Sequence, residues 1–145
     1  MDALKILSPI HKATRQIGLH LEQKTRRLGV SNIEGHLLTY LLSYAPCPIA
    51  ELNRVFGLKR STLTSILDRL EERRLISRTV NPADRRSWLV QIQPAGADIA
   101  RRLRSVLEEF EAEIIGLLGQ EDLRSFNRVM ETIARVTAVE LRDRS

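Results

Sequence analysis

The sequence predicts a mainly α fold with one small β-hairpin, and three observations predict it. Apolar residues recur at intervals of three and four over most of the 145 residues. Stop and start residues cut that pattern into separate helices. Only residues 77–92 change period, placing β-branched and aromatic residues on either side of a segment rich in turn formers. Hydrophobic residues at 43% and charged residues at 28% are the balance of a globular chain and exclude wholesale disorder. At this length one core is expected, so residues 1–145 are read as a single unit.

Ala3, Leu7, Ile10, Ile17, Leu21 and Leu28 stripe a first helix over residues 3–28, with Pro9 and Gly18 as points of strain. Thr14 and Lys24 interrupt the stripe, which suits packing against other helices better than a self-sufficient coiled coil. Gly29 is its stop, and Ser31-Asn32-Ile33-Glu34 reads as a capping box opening a second helix that reaches Tyr44. Leu37, Leu38, Tyr40, Leu41 and Leu42 make that helix apolar around much of its circumference, which places it near the centre.

Ala45-Pro46-Cys47-Pro48 reads as a turn, with Pro48 suited to the first position of the next helix. That helix, Ile49 to Phe56, ends at Gly57. The following one turns Leu63, Ile66, Leu67 and Leu70 inward and leaves Ser61, Thr64, Ser65 and Asp68 outward. Two helices joined by a brief glycine-containing turn form a helix-turn-helix. Residues 77–80 and 87–92 then pair as a hairpin, with Asn81 to Arg86 as its loop. Beyond Pro94 and Gly96, Ile99, Leu103, Val106, Phe110, Ile114 and Leu117 stripe a long helix with Gly119 as its stop. A last helix runs from Glu121 to about Leu141 on Leu123, Phe126, Met130 and Ile133. The expected architecture is a winged helix-turn-helix over residues 31–93, flanked by long helical segments at 1–28 and 97–145. These flanking apolar stripes exceed what one small winged domain covers, so a second copy of the chain is their expected destination.

Several function classes are set aside. The apolar runs fall short of the ~20 residues needed to span a bilayer, and no secretory signal opens the chain, so a cytoplasmic location is expected. A single cysteine, Cys47, permits neither an internal disulfide nor a cysteine-based metal cluster, and its expected role is packing. His11, His20 and His36 lack metal-ligand spacing. With no nucleophile–base pair and no glycine-rich phosphate loop, neither an enzyme nor a cofactor is expected.

Charge points to a partner instead. Residues 59–86 hold eight basic and four acidic side chains and residues 1–30 six and two, a net +4 in each. Residues 31–58 hold one and two, and residues 87–145 eight and ten. A basic stretch that also carries short polar residues is the footprint of a protein meeting phosphates. The second helix of a helix-turn-helix fits the major groove, about 12 Å wide, and base edges demand donors and acceptors on its N-terminal half. Lys59, Arg60, Ser61, Thr62, Thr64 and Ser65 supply them. Arg60 is placed for guanine or phosphate, whereas Ser61 and Thr62 serve equally as helix caps or phosphate partners. Arg85 and Arg86, on the hairpin's extended loop, suit insertion into a narrow groove. The alternative is a winged protein-interaction module whose basic face meets acidic side chains. Against it, aromatics are only 4% of the chain and positions 61–65 lack an apolar centre.

One pattern runs from Gly57-Leu58 through Arg60-Ser61-Thr62-Leu63-Thr64, Leu67-Asp68-Arg69-Leu70-Glu71, Leu75-Ile76 and Arg78. It continues through Asn81-Pro82, Asp84-Arg85-Arg86 and Pro94-Ala95-Gly96. In this it resembles the MarR (multiple-antibiotic-resistance-regulator) family of transcriptional regulators, and the resemblance covers nearly the whole chain. It implies a triangular homodimer in which the first and last two helices interlock and hold two winged domains over successive major grooves of a pseudo-palindromic operator. Repression is the expected mode. Arg86 would be the wing-tip arginine, and Asp84 would orient the wing by pairing with Arg78 or Arg85. The resemblance also implies small phenolic or acidic effectors, for which His36 and Tyr40, with His11 and His20, are candidate lining. Some members sense oxidation at a cysteine near the first helix, a role not carried over to Cys47. Three positions depart from the pattern: Lys59 stands for the usual Ser, Arg74 for Gly and Gln93 for Thr.

Overall fold

The computed structural model describes residues 2–139. Its elements follow in the order α1 (Leu7–Arg27), α2 (Asn32–Tyr44), β1 (Cys47–Pro48), α3 (Ile49–Phe56) and α4 (Arg60–Glu72), then β2 (Ile76–Asn81), β3 (Asp84–Ile92), α5 (Pro94–Ile115) and α6 (Gln120–Thr137). The predicted class, mainly α with a small sheet, is what the chain adopts.

Helix α1 starts at Leu7 and not at Ala3. Pro9 therefore falls in the first turn, where its missing N–H has no intrahelical acceptor to lose, and is no source of strain. At the other end Gly29 adopts φ +79°, the left-handed closure that a glycine stop provides. The capping box forms as expected. The Ser31 hydroxyl accepts from the Glu34 amide at 3.2 Å, and the Glu34 carboxylate accepts from the Ser31 amide at 2.9 Å. Leu37, Leu38 and Leu41 of α2 are completely buried. Gly35 lets α2 press on α5, because a β-carbon there would come within 2.7 Å of Leu103 Cδ2. The core spreads from α2 to Leu52 of α3, to Leu63, Ile66, Leu67 and Leu70 of α4, to Ile76 and Val90, and to Ala100 of α5.

Residues 45–48 are more than the turn the sequence suggests. Cys47 and Pro48 form β1, which pairs antiparallel with Val90 and Leu89 and completes a three-stranded sheet of order β1-β3-β2. Pro48 is the N-cap of α3, not its first helical residue. Two residues, one of them proline, carry no period, and the pairing joins positions more than forty residues apart in the sequence. An edge position tolerates the absent proline donor. Cys47 is fully buried in the core.

Only Gln93 separates β3 from α5, and it is tied to the sheet. Its amide donates to the Leu75 carbonyl at 2.9 Å and its side-chain Nε2 to Ser77 Oγ at 2.7 Å. Pro94 takes the first helical position, and Gly96 lies so close that a β-carbon would sit 2.1 Å from the Leu75 carbonyl oxygen. Helix α5 ends at Ile115 with Gly116 as its cap, so Gly119 is not the stop of that helix. Gly119 instead opens α6, its amide donating to Asp122 Oδ2 at 2.9 Å. The apolar stripe continues past Gly116 to Leu117, which is why periodicity alone put the break three residues late. The expected end of the last helix near Leu141 lies outside the described residues. None of the α6 residues is buried, and Phe126 and Val136 stay 58% and 79% exposed. Among the described residues no helix is long and apolar enough to cross a membrane.

Candidate nucleic-acid interface

Helix α4 separates its two faces cleanly. Leu63, Ile66, Leu67 and Leu70 are buried, whereas Lys59, Arg60, Ser61, Thr62, Thr64 and Ser65 are exposed. Lys59 is the N-cap and makes no side-chain capping bond, so the substitution of lysine for the better-capping serine leaves the first-turn amides open to an external acceptor. Ser61 and Thr62 fall inside the first turn and neither is the N-cap. Thr64 turns its hydroxyl back onto the Arg60 carbonyl at 2.8 Å. The helix therefore presents two cationic side chains, exposed hydroxyls and unpaired amides at one end, a combination matched to phosphate oxygens and base edges.

Strands β2 and β3 build the wing. Ile76 pairs with Ile92, Arg78 with Val90 and Val80 with Trp88, after which the register jumps so that Asn81 faces Asp84. The connection is the two residues Pro82 and Ala83, not a six-residue loop. Arg85, Arg86 and Ser87 belong to β3 but have no partner on β2, and so they bulge out of the ladder. Asn81 Oδ1 accepts from the Ala83 amide at 3.0 Å, Asp84 Oδ1 from the Arg86 amide at 3.1 Å, and Ser87 Oγ donates to the Asp84 carbonyl at 3.0 Å. Both arginines are exposed. The bulge does for them what an open loop would have done, and holds their backbone more firmly.

Asp84 does not pair with Arg78 or Arg85; it fixes the backbone under Arg86. Arg78 joins α4 instead, with Nη2 at 2.7 Å from Asp68 and Nε at 2.8 Å from Glu71. Its guanidinium is held above its usual pKa, first by the hydrogen bond to Glu71 and then by that to Asp68, against the opposing effect of burial. Arg78 thus braces the wing against α4. Sequence reasoning missed Asp68 and Glu71 as its partners, although carboxylates three apart on one helix share a face and signal a common cation.

Residues 30–88 match the model of the MarR family. The chain is thus similar to that family over its winged region. It is 24% identical over 134 residues to the HTH-type transcriptional regulator MhqR of Bacillus subtilis (strain 168), covering 90% of each chain. The fold is shared with the S. aureus MepR–DNA complex at a TM-score of 0.81 and 17% identity, covering 94% of this chain and 100% of that one. Reduced MarR from E. coli gives 0.75 and 22%, covering 92% and 98%.

The departures from the MarR pattern now have structural accounts. Arg74 has φ +58°, left-handed for a side chain that ordinarily avoids it. The Leu75 amide reaches the Leu70 carbonyl and the Arg74 amide reaches that of Glu71, each at 2.9 Å, which closes α4 in a Schellman turn where glycine is usual. Gln93 replaces the threonine cap by bonding sideways to Ser77. Of the effector candidates, Tyr40 packs on Tyr44 and Phe56 with ring centroids 4.6 and 5.7 Å apart, and His20 stacks on Phe110 of α5 at 4.5 Å. His36 lies one turn before Tyr40 and reaches solvent, yet enough protein surrounds its ring that burial lowers its pKa from 6.5. His11 is exposed on α1. Among the described residues no group of three or more His, Cys, Asp or Glu could hold a metal ion.

Proposed function

We propose that this protein is a homodimeric, sequence-specific double-stranded DNA-binding transcriptional regulator, acting as a repressor in the cytoplasm and without a catalytic step. The observation that carries the reading is the exposed polar edge of α4, Lys59 to Ser65, standing beside a wing whose arginines bulge outward and whose base is braced by Arg78. Arg60, Ser61, Thr62, Thr64 and Ser65 meet the major groove, and Arg85 and Arg86 meet the flanking backbone or minor groove. Lys59 adds phosphate attraction. Arg78 and Asp84 act indirectly, one aligning the wing and the other the Arg86 backbone.

Residues 31–93 form the reading head, and segments 1–28 and 97–145 hold two copies together. Support for the second copy comes from apolar side chains left in water, among them Leu4, Leu19, Leu117 and Phe126. A small aromatic or acidic effector, bound near His36 and Tyr40, would alter the spacing of the two heads. The related MepR has been captured on DNA with this fold, which favours a duplex as partner here.

Selection from a random duplex pool tests the reading, with a pseudo-palindromic consensus as the expected result. Arg86→Ala should then weaken binding to the selected duplex and lower the slope of log affinity against log salt by about 1, with folding unchanged. Failure to retain any duplex at low salt would refute the regulator reading. Identical affinity and slope for variant and parent would remove the wing from it.

A further inference from the structure

Trp88 is the only tryptophan of the chain and is 48% exposed, and its cross-strand partner Val80 is 45% exposed. The ladder fixes where they stand. Cross-strand partners share a face and alternate residues of a strand repeat it, so Val80 and Trp88 lie on the face of Arg78 and Val90. Arg78 on that face grips Asp68 and Glu71, and Val90 is completely buried. This is the side of the wing turned toward α4. The Val80–Trp88 pair is thus one same-face step, about 7 Å, further out along the wing than the brace. Immediately beyond it come the bulged Arg85 and Arg86.

An apolar pair is therefore flanked by two exposed guanidinium groups and faces the side on which α4 offers its hydroxyls and amides. A protein partner would have to satisfy those arginines with acids while leaving α4 unused. A duplex groove offers the matching surface in one object, since phosphates line its edge and deoxyribose carbons form its walls. Building on the DNA-binding reading above, we infer that Trp88, supported by Val80, is a duplex-contacting residue that packs on the deoxyribose wall of the groove entered by the wing arginines. Its contribution is apolar, and so it adds affinity without displacing counterions.

The lone tryptophan makes the test direct. Acrylamide quenching of Trp88 fluorescence is measured on the full chain, free and saturated with a duplex from the selection, while anisotropy of a labelled duplex reports binding separately. Bound duplex should remove most of the quenching. Trp88→Ala should weaken binding about tenfold, the loss of one aromatic contact, and leave the salt slope unchanged, unlike Arg86→Ala. Unfolding curves that match the parent's show that the variant keeps its fold. If anisotropy shows binding while Trp88 stays fully quenchable, the tryptophan contact is overturned and the regulator reading stands. If quenching falls merely on raising protein concentration without DNA, a second copy covers Trp88 and the inference is equally overturned. No binding by anisotropy removes both.

Discussion

Two side chains that depart from the MarR pattern sit at the two ends of α4. Lys59 caps nothing, so Lys59→Ser should stabilise the fold by about 1 kcal/mol in denaturant titrations while reducing affinity for duplex. Arg74 occupies the left-handed region, so Arg74→Gly should stabilise by about 0.5–1 kcal/mol, the relief of steric strain less the greater unfolded-state freedom of glycine. Arg78→Ala leaves two carboxylates facing the wing without their cation. Because the pair groups are partly exposed, the cost should be only about 1 kcal/mol, but duplex affinity should fall as the wing loses its alignment. The strain at Arg74 was legible before any coordinates, because a non-glycine residue stood where the family pattern turns. The partners of Arg78 were legible only in part: the spacing of Asp68 and Glu71 signals a shared cation, but that the cation is Arg78 depends on how the hairpin leans on α4, and no residue spacing encodes that angle.

At the level of elements, the helices were read from period and punctuation with their termini correct to a few residues. Capping residues made α2 and α3 the clearest. The strand at Cys47–Pro48 was hidden because its hydrogen bonds come from β3, and the wing arginines were put in a loop because a bulge leaves no trace in alternation. Helix α2 also carries a titration. The lowered pKa of His36 means the fold favours its neutral ring, so stability is complete above the unfolded value of 6.5. As the pH falls through that value the unfolded chain takes up the proton first, and stability declines. Urea midpoints should therefore drop as the pH is lowered through 6.5, and His36→Asn should flatten that portion of the profile. An unchanged profile in the variant would assign the acid sensitivity to another group. At the joint between wing and α5, Gly96→Ala drives a methyl into the Leu75 carbonyl and should cost about 3 kcal/mol or more, visible as a lowered melting temperature.

For the molecule as a whole, amphipathic stripes at both ends of the sequence announced more apolar surface than one copy covers, and α6 bears this out within the described residues. Between α1 and α6 lies an open apolar cavity of about 490 Å³, lined by Ile6, Leu7, Val129, Ile133 and Val136 among others. Phe126→Glu should shift sedimentation-equilibrium mass toward the single chain at micromolar concentration, and a parent already monomeric there would contradict the homodimer. The bare α6 has a thermodynamic corollary. In the proposed dimer, a helix that buries no residue fully within its own chain gains much of its packing energy on encounter, so its folding and association become coupled by mass action. Its unfolding temperature should climb with concentration. In a cell holding few copies, dilution alone would then melt the frame that keeps the two reading heads in step.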